Sequence, residues 1–358
     1  MATFLRHCAN RVSGEKVLKW NNLFYKTEVP VINEFFGGFE RSATTSVYAD
    51  PASGKSIIGM QAAFDHTRIN EGNVVYKITD KNIGFADIQH FWKEYDKVHQ
   101  IKTNVYGAIY NPTEKDILEL DPDVVFRMEE YVPKGKRKPR YRLVFEERHK
   151  MKQPFVLAMK IADPLDVLML YGVPLNIEKS EKGMLTARYA QQDAEDTRVL
   201  SPLSSVFHQF CRDYAIEFIV LDSISSTLGL FELGGRVNLM ARFEAAQALM
   251  MRMNTVNAAL NAAVFAIVHA GGDPSTGSVT MKGGAGIKFS TKATFRILNK
   301  TKWTSKKKFK SFRLAQRMRQ NWEADGSAAS WISFDDAGFA KVLGEKPDYL
   351  PDTVEKLV

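Results

Sequence analysis

The sequence predicts an α/β fold: a central, mostly parallel, twisted sheet flanked by helices, with an insertion of mixed structure. Three stretches carry this reading. Residues 45–98 alternate short β-type runs with helical ones: a strand over 45–48, a helix over 56–68, a strand over 73–78 and helical apolar spacing over 88–98. The alternation returns with a helix over 206–214, a strand over 217–221, a helix over 237–260 and a strand over 263–268. From 293 to about 339, strand-like pieces alternate with turns. Strand, helix, strand at this spacing is the signature of a parallel sheet.

With 358 residues, 45% hydrophobic and 25% charged, the chain has the composition of a soluble globular protein of one large domain, or a large and a small one. No apolar run reaches the roughly 18 residues of a helical membrane span, no signal-peptide pattern opens the chain, and no membrane role is expected. The two cysteines, Cys8 and Cys211, are too few for a disulfide framework or a zinc site and fit a reducing cytoplasm. The net charge of +8 is unevenly placed. Residues 300–319 hold Lys300, Lys302, Lys306, Lys307, Lys308, Lys310, Arg313, Arg317 and Arg319 and no acid. Residues 134–152 are also strongly basic, with only Glu146 and Glu147 opposing, so the remainder of the chain is acidic. Two basic patches on an acidic body point to a localised polyanion contact, against the alternative of solvated surface loops.

Residues 1–25 read as an arm, helical around 5–12. Residues 26–106 and 201–340 read as the two parts of one core. Residues 107–200 read as an insertion, broken by Pro112, Pro122, Gly135 and Pro139, with apolar runs at 142–145 and 155–159. Residues 341–358 are a tail. Met240, Met250, Met251 and Met253 in the long helix read as core packing.

Ala49, Asp50, Pro51, Ala52, Ser53, Gly54, Lys55, Ser56 and Ile57 follow a strand and open a helix. Backbone N–H groups in such a loop cradle phosphate oxygens, aided by the positive end of the helix dipole. Lys55 would neutralise the outer phosphates, and the Ser56 hydroxyl would bind Mg²⁺. Ala49 stands where glycine is commoner. The second half of such a site is a carboxylate: Asp222 ends the apolar run 217–221 and is placed to hold the magnesium shell. Asp80 ends the second strand, where a base or water-orienting group is needed; a helix N-cap is its alternative. The cofactors expected are ATP and Mg²⁺.

With these pieces in this order the chain resembles the RecA-like recombinases, and most closely the phage UvsX branch. The lead-in over 26–38, ending in Gly37 and Gly38, is similar to that family's approach to the phosphate loop. The stretch from Met281, Lys282, Gly283 and Gly284 through Lys288 to Lys300 is similar to its second DNA-binding loop and following strand. The resemblance spans 1–106 and 203–340 and implies a RecA-like P-loop ATPase core with an N-terminal oligomerisation arm. It implies that Lys55, Asp80, Asp222 and His269 are catalytic, with Asp80 where the family has glutamate and His269 as the γ-phosphate switch. Lys288 matches a residue that reaches the neighbouring subunit's ATP. The first DNA loop would lie within 225–242, with Leu230, Phe231 and Arg236 as contacts. The second would be 271–286, with Met281, Lys282, Gly283 and Gly284.

The implied function is an ATP-dependent recombinase that polymerises on single-stranded DNA and pairs it with homologous duplex DNA. Mediator and single-strand-binding proteins are its expected partners, and the cytoplasm of a phage-infected bacterium is its expected location. Two alternatives stand beside it. One is a non-catalytic accessory paralogue, suggested by aspartate at 80. The other is a hexameric helicase, disfavoured by the short stretch preceding the phosphate loop.

Overall fold

The computed structural model describes residues 23–80, 82–110, 127–131, 140–144, 151–161, 164–173, 175–179, 185–189, 203, 205–229, 232–233, 236–237, 239–272, 279–281, 287–288, 290–303, 309–320, 328–335 and 337–342. Most of the arm, most of the tail and much of the span between 111 and 150 lie outside these.

Strand β1 (Thr44–Ala49) has parallel neighbours on both sides, β6 (Ala263–Gly272) and β7 (Ala293–Trp303). Outward from β6 come β5 (Ile216–Asp222), β2 (Asn73–Ile78), β4 (Phe155–Ile161) and the edge strand β3 (Asn104–Tyr110), all parallel. Beyond β7 the sheet continues antiparallel through β8 (Phe309–Gln320), β9 (Ala329–Phe334) and β10 (Ala340–Val342). The order is therefore 3-4-2-5-6-1-7-8-9-10. This is the mostly parallel α/β sheet that the sequence predicts.

The inner strands β4, β5 and β6 are predominantly apolar because both faces of the sheet are covered. Alternation sorts their side chains. Val47, Val74, Tyr76, Phe218, Val220, Phe265 and Ile267 face one core. There they meet helices α1 (Pro30–Phe36), α2 (Lys55–Ile69) and α3 (Phe85–His99), through Phe35, Ile58, Phe64 and Phe91. Tyr48, Val75, Ile219, Leu221, Val264 and Ala266 face the other core. That side is closed by α4 (Pro164–Leu170), α5 (Val206–Asp213), the short α6 (Ile224–Leu228) and α7 (Leu239–Leu260). Met250 and Met253 are fully buried there, as expected of core methionines, whereas Met251 is 58% exposed.

The span 107–200, read as an unmatched insertion, departs from that reading. Its segment Phe155–Ile161 is a fully integrated sheet strand between β2 and β3, and Val167, Leu168 and Leu170 of α4 are core residues. The apolar run 155–159 is continuous rather than alternating, which is how a strand buried on both faces reads. Two antiparallel hairpins, Arg127–Tyr131 with Arg140–Val144 and Leu175–Lys179 with Leu185–Tyr189, are pairs outside the central sheet.

The chain before β1 is fixed by a buried carboxylate on α2. Asp65 accepts hydrogen bonds from the Thr27 hydroxyl (2.8 Å), the Glu28 N–H (2.6 Å) and the Tyr95 hydroxyl of α3 (2.7 Å). With these bonds satisfied, its burial is tolerated and it ties three segments together.

Candidate active site

Strand register brings the carboxyl ends of β1, β2, β5 and β6 together. Ala49 pairs with His269, and Asp222 lies opposite both Ile267 and Ile78. Side chains at or just beyond these ends converge on one edge, the place where open α/β sheets bind ligands. A cavity of about 300 Å³ opens there. Its walls are the loop from Pro51 to Ile57, then Asp80, Asn82 and Ile83 after β2, Asp222, His269, and Arg313 of β8.

The loop between β1 and α2 has the shape of a phosphate cradle. Ala52 and Gly54 adopt left-handed backbone conformations, at φ 58° and 91°. A β-carbon at Gly54 would collide with the Phe334 ring, so only glycine fits. Helix α2 starts at the next residue, aiming its unpaired N–H groups into the loop. Lys55 folds back over the loop, its Nζ donating to the carbonyls of Ala49 (2.9 Å) and Asp50 (2.7 Å) and to Ser53 Oγ (3.2 Å). Burial lowers its pKa to about 8, opposed by Asp222, Asp50 and Asp80. A polyphosphate would oppose that desolvation more strongly.

Asp222 is almost wholly buried. Its carboxylate accepts a hydrogen bond from the Tyr76 hydroxyl at 2.7 Å and is also bonded to the Ser56 side chain. Burial pushes its pKa up to about 6; the bonds from Ser56 and Tyr76 pull it down, and Asp80 adds to the rise. A hydroxyl beside a desolvated carboxylate is a hard-oxygen donor pair. It fits Mg²⁺, which fills its shell from water and phosphate rather than from a cage of protein ligands. Among the described residues no group of three or more His, Cys, Asp or Glu is arranged to hold a metal ion, so this pair is the donor set to consider.

Asp80 is positioned by backbone lacing. The N–H groups of Thr79 (2.7 Å) and Asp80 (3.1 Å) donate to the Asp222 carbonyl, and Thr79 Oγ1 both donates to the Ser223 carbonyl and accepts from the Ser223 N–H. Asp80 Oδ2 lies 3.1 Å from His269 Nε2, while its Oδ1 accepts from the Asn82 N–H at 3.0 Å. The His269 N–H donates to Ser225 Oγ at 2.7 Å. Thus Lys55, Ser56, Asp80, Asp222 and His269 share one cleft, and Asp80 touches His269 directly.

The residues read as DNA contacts fare differently. Met281, read as a contact of the second DNA loop, is buried against the core. Its strand Val279–Met281 pairs antiparallel with the end of β6 and turns the side chain inward. Leu230, Phe231, Lys282, Gly283 and Gly284 lie outside the described residues. Arg236 belongs to a two-residue strand paired with Glu232–Leu233, and its side chain is also outside the description. Lys288 is exposed and is not part of the cavity wall.

Besides Asn82 and Ile83 of the wall, three residues at the cleft escape a motif reading: Tyr76, Phe334 and Arg313. Tyr76 had a signal, since period two places it on the sheet face of Asp222. Arg313 and Phe334 arrive from strands more than 250 residues along the chain, with no local pattern to mark them.

No family model matches the chain, and no curated protein does. Among solved structures it is similar to a KaiC-like protein from the hyperthermophilic archaeon Pyrococcus horikoshii. The alignment has 11% identity and a TM-score of 0.47, and covers 89% of this chain and 98% of that one.

Proposed function

We propose that this protein is a RecA-like P-loop ATPase, and specifically a recombinase of the kind closest to the phage UvsX branch. It binds ATP with Mg²⁺, polymerises on single-stranded DNA and promotes pairing and strand exchange with homologous duplex DNA. The observation that carries the ATPase reading is the meeting of Lys55, Ser56, Asp80, Asp222 and His269 in one cleft at the carboxyl edge of the sheet. Mg²⁺ would be held by Ser56 and, through its water shell, Asp222, and it would offset phosphate charge. Lys55 would exchange its loop carbonyls for phosphate oxygens. Asp80, held against His269, would orient the attacking water and take its proton.

The recombinase reading rests on the resemblance and gains support from what adjoins the cleft. His269 continues directly into the hairpin of Gly271, Gly272 and Val279–Met281, at the base of the segment read as the second DNA loop. Ser225, which holds the His269 backbone, lies in α6 at the start of the segment read as the first. Phosphate state sensed at His269 thus has short routes to both. No described helix is long and apolar enough to cross a membrane; a location in the cytoplasm of a phage-infected bacterium accords with this reading.

Electron microscopy with single-stranded DNA and a non-hydrolysable ATP analogue tests the assembly. Long helical filaments are expected. Closed rings would replace this reading with a helicase, and monomers alone with an accessory paralogue, which aspartate at 80 favours. Lys55→Ala should abolish DNA-stimulated ATP turnover; unchanged turnover would sink the site assignment.

A further inference from the structure

The basic run 300–319 reads in the sequence as a polyanion patch, yet one of its members turns towards the cleft. Arg313 of β8 forms part of the cavity wall. Its guanidinium lies over the Phe334 ring, 4.7 Å from the ring centre, on the ring that blocks a β-carbon at Gly54. Stacking covers one face of the guanidinium and fixes its plane, so its donors act edge-on. Those donors are poorly used. Nη2 reaches the Ala52 carbonyl at 3.5 Å, too long for a good hydrogen bond, and Nε is buried without a hydrogen-bond partner among the described residues. Burial lowers the group's pKa, with no carboxylate offsetting it. A half-buried cation with an unsatisfied donor gains when a ligand completes it.

The geometry points to Arg313 as a second phosphate-binding cation of the cleft, acting within the same chain as Lys55 and donating edge-on to a phosphoryl oxygen of the bound nucleotide. This rests on the phosphate-loop reading above. Arginine suits the task because its planar fork stays charged and matches phosphate oxygens. The stack on Phe334 couples it to the loop: the ring that shapes Gly54 also aims the guanidinium.

The test is ATP affinity by calorimetry with the full chain, and adenosine affinity by competition against a fluorescent ATP analogue. Wild type, Arg313→Gln, Arg313→Lys and Lys55→Ala are compared, with melting temperatures alongside. Arg313→Gln should weaken ATP about tenfold or more, leave adenosine little changed, and bind more weakly than Arg313→Lys. Unchanged ATP affinity would overturn the inference, and so would a loss confined to single-stranded DNA binding. Equal loss for ATP and adenosine would assign the side chain to the base instead. Equal weakening in both Arg313 variants with lowered melting temperatures would mark lost packing and also overturn it. If wild type binds no ATP, or Lys55→Ala binds it normally, the phosphate-loop reading fails and takes this inference with it. If Lys55→Ala loses ATP while Arg313→Gln keeps it, this inference alone fails.

Discussion

Asp222 sits almost wholly buried at the end of β5, and replacing it with asparagine separates its cost to the fold from its use in the site. Its pKa is raised from 3.8 to about 6, chiefly by burial. The folded protein therefore retains a proton between about pH 4 and 6 that the unfolded chain has released. Stability accordingly falls as pH rises through that window, and the full penalty stands above pH 6. Two pKa units correspond to about 3 kcal/mol at neutral pH. Asparagine removes the charge but keeps an acceptor oxygen, so its hydrogen bonding weakens from charge-assisted to ordinary strength, a loss of about 1 kcal/mol. The nucleotide-free Asp222→Asn protein should thus be more stable than wild type by about 2 kcal/mol at pH 7.5. Turnover should fall to background, because the cation loses its carboxylate. Urea unfolding in EDTA at pH 5, 6 and 7.5 checks the first claim, and the gap should narrow by more than about 1 kcal/mol between pH 7.5 and 5. A variant no more stable than wild type at pH 7.5, or a gap that ignores pH, would refute the reasoning.

Three further predictions concern the same cleft. Tyr76→Phe removes a bond that holds the Asp222 pKa down, so the acid limb of the turnover profile should move to higher pH; an unmoved limb would show that Asp222 ionisation does not govern it. Asp80→Asn should bind ATP as wild type does but hydrolyse it about a hundredfold more slowly, measured by phosphate release against nucleotide affinity; equal hydrolysis would place the base elsewhere. Gly54→Ala combines a left-handed φ with a collision against Phe334. It should lower unfolding stability by more than about 1 kcal/mol and weaken ATP binding, and a neutral result in both assays would mean that the loop is laxer than drawn.

Strands and helices around the phosphate loop were legible because they are local: β2 at Asn73–Ile78 matches the residues read from the sequence, and α2 differs by one residue at each end. The loop itself is legible for the same reason, since Gly54, Lys55 and Ser56 act through their own backbone and the next helix turn. Phe155–Ile161 was hidden by its setting. A strand that inserts between β2 and β3 after a long excursion looks like part of the excursion, because pairing is non-local. The burial of Met281 is hidden for the same reason: a methionine beside a glycine-rich stretch resembles an exposed loop residue, and only its pairing to β6 turns it inward.

The basic run 300–319 makes the same point about charge. Counting Lys and Arg along a chain treats them as one patch, but a strand distributes successive side chains to opposite faces. Arg317 is buried and donates to the Phe35 carbonyl at 3.3 Å, fastening β8 to α1. Arg313, on the same side of the strand, meets Phe334 and the phosphate loop. Two members of the run thus serve the core and the cleft, and they cannot reach nucleic acid while they do. If nucleotide draws Arg313 onto a phosphate, β8 and β9 tighten on the loop through the Phe334 stack. Residues further along β8 would then feel the change. Coupling of this kind requires ATP to bind one arrangement of the hairpin better than another. The side chain through which that difference would act is Arg313, which no count of charge distinguishes from its neighbours.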